Sequence, residues 1–462
     1  FDVTAFGARG DRADVQTAEF QSAIDACAAG GGGTVVVPAG TYVVGAIWLR
    51  SNITLHLEAG ATLMGSEREE DFPVWRSLWE GPGPMQSRVP LLAGEGLENV
   101  AITGRGTIDG NGAVWWERHA RDHDCPRPWL IRLVDCRNVL VEGVTLRNAP
   151  FWTLSPLACE NVTIQGVTIV NPADSPNTDG VNPDSCRNVR ILNCHIDVGD
   201  DCITLKSGKE DDGRQRFKAC ENIAISNCTL VHGHGGVVIG SEVSGSVRNV
   251  VISNCVFIGT DRGIRLKARR GRGGVVENIR VSNLVMEGVL CPIVINLFYG
   301  CGNPSPESVD DRIVRPVDST TPRFRRLRFS NITATDAKYA AMYVLGLPEM
   351  YVEDVALSDV MIQLDKNSSE SGKPAMSPVV EPHCRSGCIV RNTRGLVMRN
   401  VEIVNQLGEA LLVTDSEAVS VAGLIAPTAS PGPAVRLRGV RDADIRGIRA
   451  ADGFDCGVNV SG

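Results

Sequence analysis

The sequence predicts an all-β chain folded as a single-domain right-handed parallel β-helix (solenoid) with an N-terminal capping helix. A short motif with an anchor asparagine recurs at spacings of roughly 20 to 40 residues, which is typical of solenoids. Apolar residues then alternate after each asparagine, as half-buried strands require. Each such unit can bury its apolar face only by stacking on its neighbours. The anchors are Asn99, Asn138, Asn161, Asn188, Asn222, Asn249 and Asn278.

The first element is a helix predicted over residues 18–29. Thr17 precedes it as a candidate N-cap, Phe20, Ile24 and Cys27 share one face, and glycines end it. A helix here would cover the open edge of the first coil. We therefore expect one domain over residues 1–462, with a cap at about 1–35, motif-bearing coils at about 136–300 and looser coils at about 320–462.

Cysteines recur at equivalent positions of the repeat. The chain has 15 of them, and a regular placement favours a column of buried thiols over disulfides or metal ligands, because a free cysteine behaves as a small hydrophobe. The recurring positions are Cys136, Cys159, Cys186 and Cys220, with Cys194 and Cys228 at a second site in the repeat.

Composition limits the possible partners. The net charge of −8 argues against a nucleic-acid binder, and no apolar run is long enough to span a bilayer. One segment reverses the charge balance, because six cations crowd into residues 262–272. Since this segment also carries one of the motifs below, it predicts a site for an anionic ligand. The cations are Arg262, Arg265, Lys267, Arg269, Arg270 and Arg272.

Four polar motifs fall in consecutive repeats at similar distances after their anchor asparagines. This register predicts three carboxylates, an imidazole and two cations on one face of the solenoid. Carboxylates held close together cannot all ionise as isolated groups, so one can serve as an acid while another serves as a base. Glycoside hydrolysis needs such a pair. The motifs are Asn177-Thr178-Asp179-Gly180, Gly199-Asp200-Asp201, Gly233-His234-Gly235 and Arg265-Leu266-Lys267.

At these residues the chain resembles the polygalacturonase family of glycoside hydrolases, family 28, and is most similar to its bacterial exo-acting members. The resemblance implies inverting hydrolysis of α-1,4-galacturonosidic bonds, with Asp200 as general acid and Asp179 and Asp201 activating water. It also implies acid and base carboxylates about 6.5 Å or more apart. By the same resemblance His234 tunes the acid, and the substrate is held by Arg265, Lys267, Asn177 and Tyr299.

Two inserts before the motif-bearing coils favour exo action, because they could close one end of a cleft. They span residues 65–94 and 109–129 and carry five of the seven tryptophans, which either stack on sugars or form local core. These five are Trp75, Trp79, Trp115, Trp116 and Trp129.

The expected partner is a polyanionic polysaccharide or oligogalacturonide, without a cofactor, metal, nucleic acid or membrane. The alternatives are an endo-polygalacturonase and a rhamnogalacturonan or xylogalacturonan hydrolase. Two more distant ones are a pectate lyase, in which the aspartates would bind calcium, and a non-catalytic carbohydrate-binding β-helix. The sequence does not predict an oligomeric state. An extracellular polymer as substrate predicts a secreted or periplasmic protein, and imported oligomers would allow a cytoplasmic one.

Overall fold

The computed structural model describes residues 1–75, 87–210, 218–301, 305–310 and 313–461. It confirms the predicted fold class, a right-handed parallel β-helix built from stacked parallel sheets. The chain divides into two compact units: residues 1–204 with 220–229, and residues 205–219 with 230–462. The first is called the N-terminal unit and the second the C-terminal unit. That residues 1–462 form one domain stays a prediction.

The N-terminal unit stacks short parallel strands into two sheets, and it also has one antiparallel hairpin. The strands of its larger sheet are Asp11–Val15, Gly33–Val37, Gly40–Val44, Ile53–Leu57, Ala61–Gly65, Glu98–Gly104, Thr107–Asp109, Arg137–Glu142, Thr145–Arg147, Glu160–Gln165, Thr168–Val170, Arg187–Leu192, His195–Val198 and Cys220–Ser226. The smaller sheet has Ile47–Trp48, Leu92–Glu95, Ile131–Val134 and Leu154–Leu157, and the hairpin has Val74–Trp75 and Ser87–Arg88.

The C-terminal unit has longer strands in the same parallel arrangement. One sheet has Val247–Ile258, Val275–Glu287, Arg323–Ala337, Val352–Leu364, Thr393–Val404, Glu417–Ala426, Arg441–Arg446 and Arg449–Ala450. The other has Val237–Ile239, Arg262–Lys267, Cys291–Asn296, Ala340–Leu345, Ser386–Arg391, Leu411–Thr414, Pro433–Arg438 and Cys456–Ser461. The chain passes from one unit to the other within Ile203–Leu205, directly before Cys220–Ser226 and within Thr229–His232.

The helices are few in the described residues. Helix α1 is Thr17–Ala29 and helix α2 is Ala113–Arg121, and three 3-10 turns span Val3–Phe6, Glu69–Asp71 and Pro306–Val309. Helix α1 buries Phe20, Ile24 and Cys27, as the sequence predicts. Its N-cap is Gln16 and not Thr17. The Thr17 hydroxyl instead accepts a hydrogen bond from the Gly45 N–H at 2.7 Å. This bond ties the helix to the chain directly after the strand Gly40–Val44.

The anchor asparagines form a hydrogen-bonded ladder along the N-terminal unit. Asn161 donates to the Oδ1 of Asn138 and accepts from the Nδ2 of Asn188, both at 3.1 Å. Each of these residues has a left-handed backbone, with φ of 57° or 58°. Asparagine tolerates this conformation better than most residues. The repeat therefore selects asparagine both for its backbone and for its amide.

Replacing Asn161 tests both contributions. We expect Asn161→Ala to lower the free energy of unfolding by about 2 kcal/mol, because it strains the left-handed backbone and removes the ladder hydrogen bonds. Asn161→Gly relieves the backbone strain, so it is expected to cost about half as much. Urea unfolding followed by circular dichroism measures both. Equal losses in the two variants would show that the backbone conformation contributes nothing.

The predicted thiol column is confirmed. None of the 15 cysteines, all in described segments, forms a disulfide. Cys136, Cys159, Cys186 and Cys220 are buried, and the Cys136 N–H lies 3.4 Å from the Cys159 Sγ. Burial raises the pKa of Cys220 to about 12. These thiols therefore stay protonated and act as core.

Candidate active site

Three carboxylates meet in the N-terminal unit. Asp200 and Asp201 follow the strand His195–Val198, and Asp179 lies in the loop after Thr168–Val170. One oxygen from each lies within 4.8 Å of the others. Asp179 and Asp201 are buried, and Asp200 is half-buried. These three residues are called the carboxylate cluster, and the structure brings them together as the repeat register predicts.

The family resemblance implies acid and base carboxylates about 6.5 Å or more apart. The nearest oxygens of the cluster instead lie within 4.8 Å of one another. Parallel coils stack about 4.8 Å apart, so turns of successive coils bring their side chains to about that spacing. Asp200 and Asp201 are also adjacent in sequence. The cluster is therefore tighter than the arrangement usual for inverting glycosidases.

Asp179 is held by a residue that the sequence analysis missed. The fully buried Asn182 donates from Nδ2 to the Asp179 Oδ2 at 2.9 Å. The Asp179 carbonyl accepts from the Thr153 N–H at 2.9 Å, in the preceding coil. These bonds fix both the backbone and the carboxylate of Asp179. Asn182 lies only three residues after Asp179, so the motif could have been extended to include it.

Asp200 accepts two hydrogen bonds. The Asp201 N–H donates to its Oδ1 at 2.9 Å, and the Nδ2 of Asn177 lies 3.5 Å from its Oδ2. Asn177, which is predicted to hold the substrate, thus lies beside Asp200, the predicted general acid. Asn177 is exposed and has a left-handed backbone, with φ of 56°.

The motif glycines are required by close backbone approach. A Cβ added to Gly180 would lie 2.4 Å from the Cys202 carbonyl oxygen, and one added to Gly199 would lie 2.4 Å from that of Ser175. Both distances are well inside van der Waals contact. Any larger residue would push apart the turns that carry the carboxylates.

The predicted cations meet in the C-terminal unit. Arg265 and Lys267 lie within the strand Arg262–Lys267. The Arg265 guanidinium lies 5.4 Å from the Tyr299 ring centre, and the Lys267 Nζ lies 5.0 Å from it. Arg265 also donates to the His234 carbonyl at 3.4 Å. Arg265, Lys267 and Tyr299 are called the cationic cluster, and the exposed His234 adjoins it.

The other cations of residues 262–272 pair with acidic side chains of the same unit. Arg262 lies 3.1 Å from Asp261, and Arg270 lies 2.5 Å from Glu349. Arg269 and Arg272 both reach Glu210, at 3.2 Å and 3.5 Å. Much of the positive charge of these four residues therefore stabilises the unit.

Glu242 is a further acidic group near these cations. Burial by itself would raise its pKa, but the charges of Lys206, Arg272 and Lys267 and a hydrogen bond from Lys206 lower it well below the ordinary value. The Lys206 Nζ lies 3.0 Å from Glu242. Glu242 is therefore a fixed negative charge that offsets part of the positive charge around Lys267.

The aromatic residues of the two inserts are mostly local core. Trp115 is fully buried, with Phe72 at 5.5 Å between ring centres, and Trp129 is 4% exposed. The Trp116 Nε1 donates to the Ala149 carbonyl at 3.1 Å. Trp75 is half-buried and packs edge-on against Trp48 at 5.6 Å. Trp79 lies outside the described residues.

The comparison with known proteins decides the family. The family model for glycosyl hydrolases family 28 matches residues 27–379, which include both clusters. The chain belongs to that family. A probable polygalacturonase of Vitis vinifera is 34% identical over 369 residues, covering 78% of this chain and 73% of the relative.

Two further relatives of this family 28 hydrolase differ in how they act. The crystal structure of a hyperthermoactive exopolygalacturonase from Thermotoga maritima has a TM-score of 0.72 and 31% identity, covering 87% of this chain and 91% of that one. An endo-polygalacturonase of Pectobacterium carotovorum is 31% identical over 308 residues, covering 61% of this chain and 72% of the relative. Family membership confirms a glycoside hydrolase and removes the lyase and non-catalytic alternatives. Exo and endo relatives both occur, so the comparison does not choose between them.

Among the described residues, the carboxylate cluster is the one group of three or more histidine, cysteine or acidic side chains close enough together to hold a metal ion. Oxygen ligands of this kind suit a hard cation such as calcium. In glycoside hydrolysis, carboxylate oxygens of this kind instead transfer protons and orient water.

Proposed function

We propose that this family 28 hydrolase cleaves α-1,4-galacturonosidic bonds of polygalacturonic acid and pectin. Inversion of configuration is proposed from the resemblance of the motifs to the family, and the spacing of the carboxylate cluster does not support it. The observation that carries the proposal is the carboxylate cluster, whose oxygens lie within 4.8 Å of one another. A group of this kind supplies a proton to the leaving oxygen and removes one from water in a single site.

The proposed roles are those that the resemblance to the family implies. Asp200, which is half-buried and lies beside the exposed Asn177, is assigned to protonate the leaving glycosidic oxygen. Asp179 and Asp201 are buried, and Asn182 fixes the first of them. They are assigned to water, which would be oriented for attack on the anomeric carbon.

The second part of the proposal assigns the cationic cluster to the uronate carboxylate of the same substrate. Arg265 and Lys267 are 3% and 6% exposed, so water competes weakly for their charge. An arginine fork can bind a carboxylate through two hydrogen bonds. Tyr299 adds an aromatic face against both cations. His234 is proposed to tune the acid.

Exo action is proposed from contacts that join the two inserts. Arg88 of the first insert donates from Nε to the Pro126 carbonyl of the second at 3.0 Å. Arg118 of α2 donates back to the Glu67 carbonyl at 2.8 Å. Together with the Phe72–Trp115 ring contact, these bonds make the described parts of both inserts one assembly. We propose that it limits the substrate to a chain terminus.

A time course of products from polygalacturonic acid tests this proposal. Exo action predicts short galacturonate products, one or two residues long, from the first time points, with slow loss of viscosity. Early oligomers of many lengths, with rapid loss of viscosity, would make the enzyme endo-acting. Parallel digests of rhamnogalacturonan and xylogalacturonan test the two other backbones, and faster cleavage of either would replace polygalacturonate as the proposed substrate.

We also propose that the protein acts outside the cytoplasm, since its proposed substrate is an extracellular polymer. In the part of the chain that the structure describes, no helix is long and apolar enough to cross a membrane. Cell fractionation with activity staining tests the compartment, and activity confined to the cytoplasm would favour imported oligomers as substrates.

A further inference from the structure

One buried arginine connects the second insert to the carboxylate cluster. Arg127 is 7% exposed, and its guanidinium lies 4.7 Å from the Phe151 ring centre. Its NH1 donates to the carbonyls of Pro150 at 3.1 Å and Pro176 at 2.7 Å, and its NH2 donates to the Asn177 Oδ1 at 2.7 Å. Burial lowers the pKa of Arg127 to about 10, so the side chain keeps its charge at neutral pH.

These bonds determine which way the Asn177 amide faces. A guanidinium has donors and no acceptor, so the atom next to Arg127 must be the amide oxygen. The amide nitrogen is then directed to the other side, where it lies 3.5 Å from the Asp200 Oδ2. An exposed asparagine without such a partner would rotate freely and could present its oxygen to Asp200.

We infer that Arg127 is a positioning residue for Asp200, acting through the Asn177 amide. The guanidinium anchors the loop at Pro176 and holds the Asn177 oxygen, so that the amide N–H faces the proposed acid. The inference rests on the proposed role of Asp200, and it adds a connection between the insert and the reacting group.

The fork shape of the side chain matters as well as its charge. Arg127 serves three acceptors at once, on Pro150, Pro176 and Asn177. The single ammonium of a lysine cannot reach the same three in a planar arrangement. Arg127→Lys should therefore keep the positive charge and lose part of the positioning.

A double-mutant cycle tests the inference with Arg127→Met and Asn177→Gly. Methionine keeps apolar packing against Phe151, and glycine keeps the left-handed backbone of residue 177. Each single variant is expected to lower kcat about tenfold, as small misplacements of reacting groups do, and Arg127→Met should change KM by less than about threefold. Because both act through one amide, the double variant should be no slower than the slower single variant.

Arg121→Met is the matched control. Arg121 lies on the same insert but is exposed, and its NH2 donates to the Glu117 Oε2 at 3.5 Å, within helix α2 and away from the 176–177 loop. Its kcat should stay within about twofold of the parent. The inference would be overturned if the losses in kcat multiplied in the double variant. It would also be overturned if Arg127→Met kept the parent kcat while Asn177→Gly lost activity. If Arg127→Met does not fold, Arg127→Lys takes its place in the cycle, with a smaller expected loss.

A second readout needs no activity. In protein labelled with ¹⁵N-asparagine, the Asn177 side-chain resonances are identified by their absence in Asn177→Gly. They should shift in Arg127→Met and stay in place in Arg121→Met. Unchanged resonances in Arg127→Met would refute the positioning role. A parent enzyme that fails to cleave any galacturonan would instead refute the proposed function, while the resonances would still report on Arg127.

Discussion

Replacing Asp200 with asparagine is expected to lower kcat on polygalacturonic acid about 1,000-fold, with little change in KM. The amide has nearly the shape of the carboxyl but cannot donate the proton that the leaving oxygen needs. General acid catalysis contributes roughly 100- to 10,000-fold, and the expected loss falls in that range. Steady-state kinetics measured by reducing ends gives both constants.

Asp197→Asn is the control for this variant. Asp197 lies three residues before Asp200, but its register partner is Val170, a 42% exposed residue on the outer face of the sheet. It should keep nearly full activity, and both variants should unfold within about 2 °C of the parent. Substantial hydrolysis by a folded Asp200→Asn would assign the acid role to another group.

Removing the charge of Arg265 is expected to lower kcat/KM about 100-fold, mainly through KM. Charge-assisted hydrogen bonds to a carboxylate are worth about 1.5–3 kcal/mol each, and about 2.8 kcal/mol corresponds to 100-fold. Arg265→Gln keeps polar atoms near Tyr299 but cannot bind a carboxylate through a charged fork. Initial rates over a range of substrate concentrations separate the two constants.

Methyl-esterified oligogalacturonides give the matching substrate control. The parent enzyme should discriminate strongly against them, because esterification removes the charge that Arg265 and Lys267 are proposed to bind. Arg265→Gln should discriminate much less, so that the effects of the substitution and of esterification on kcat/KM are not additive. If the variant kept the parent's preference for the free acid, the cationic cluster would not be the uronate site.

Much of the fold could be predicted because the units of the repeat carry residues that meet the same structural requirements. Asn161 shows this, since one residue supplies both a left-handed backbone and a ladder amide. The coil at Glu417–Ala426 lies in the looser part of the predicted solenoid, at about 320–462, and lacks this signal. Ala418 takes the left-handed position there, with φ of 52°, and so the anchor asparagine is absent. A pattern defined by asparagine cannot detect a coil that accepts backbone strain instead.

Some features of the candidate site could likewise be predicted from the sequence, and others could not. The carboxylate cluster could be predicted from register, because successive turns stack at a fixed spacing. Its tight separation could not be predicted from the residue types, and the resemblance implied a wider one. Arg127 gave no signal, because it lies in an insert outside the repeat and acts through contacts distant in sequence. The joint action of the two clusters stays a prediction.

The most direct test is mass spectrometry of the products that the purified enzyme forms from defined oligogalacturonides, with Asp200→Asn digested in parallel. Hydrolysis adds the mass of one water for every bond cleaved. We expect products with this added mass from the parent enzyme and almost none from Asp200→Asn. Unsaturated products that lack the added water, or equal cleavage by the two proteins, would contradict a hydrolase that works through the carboxylate cluster.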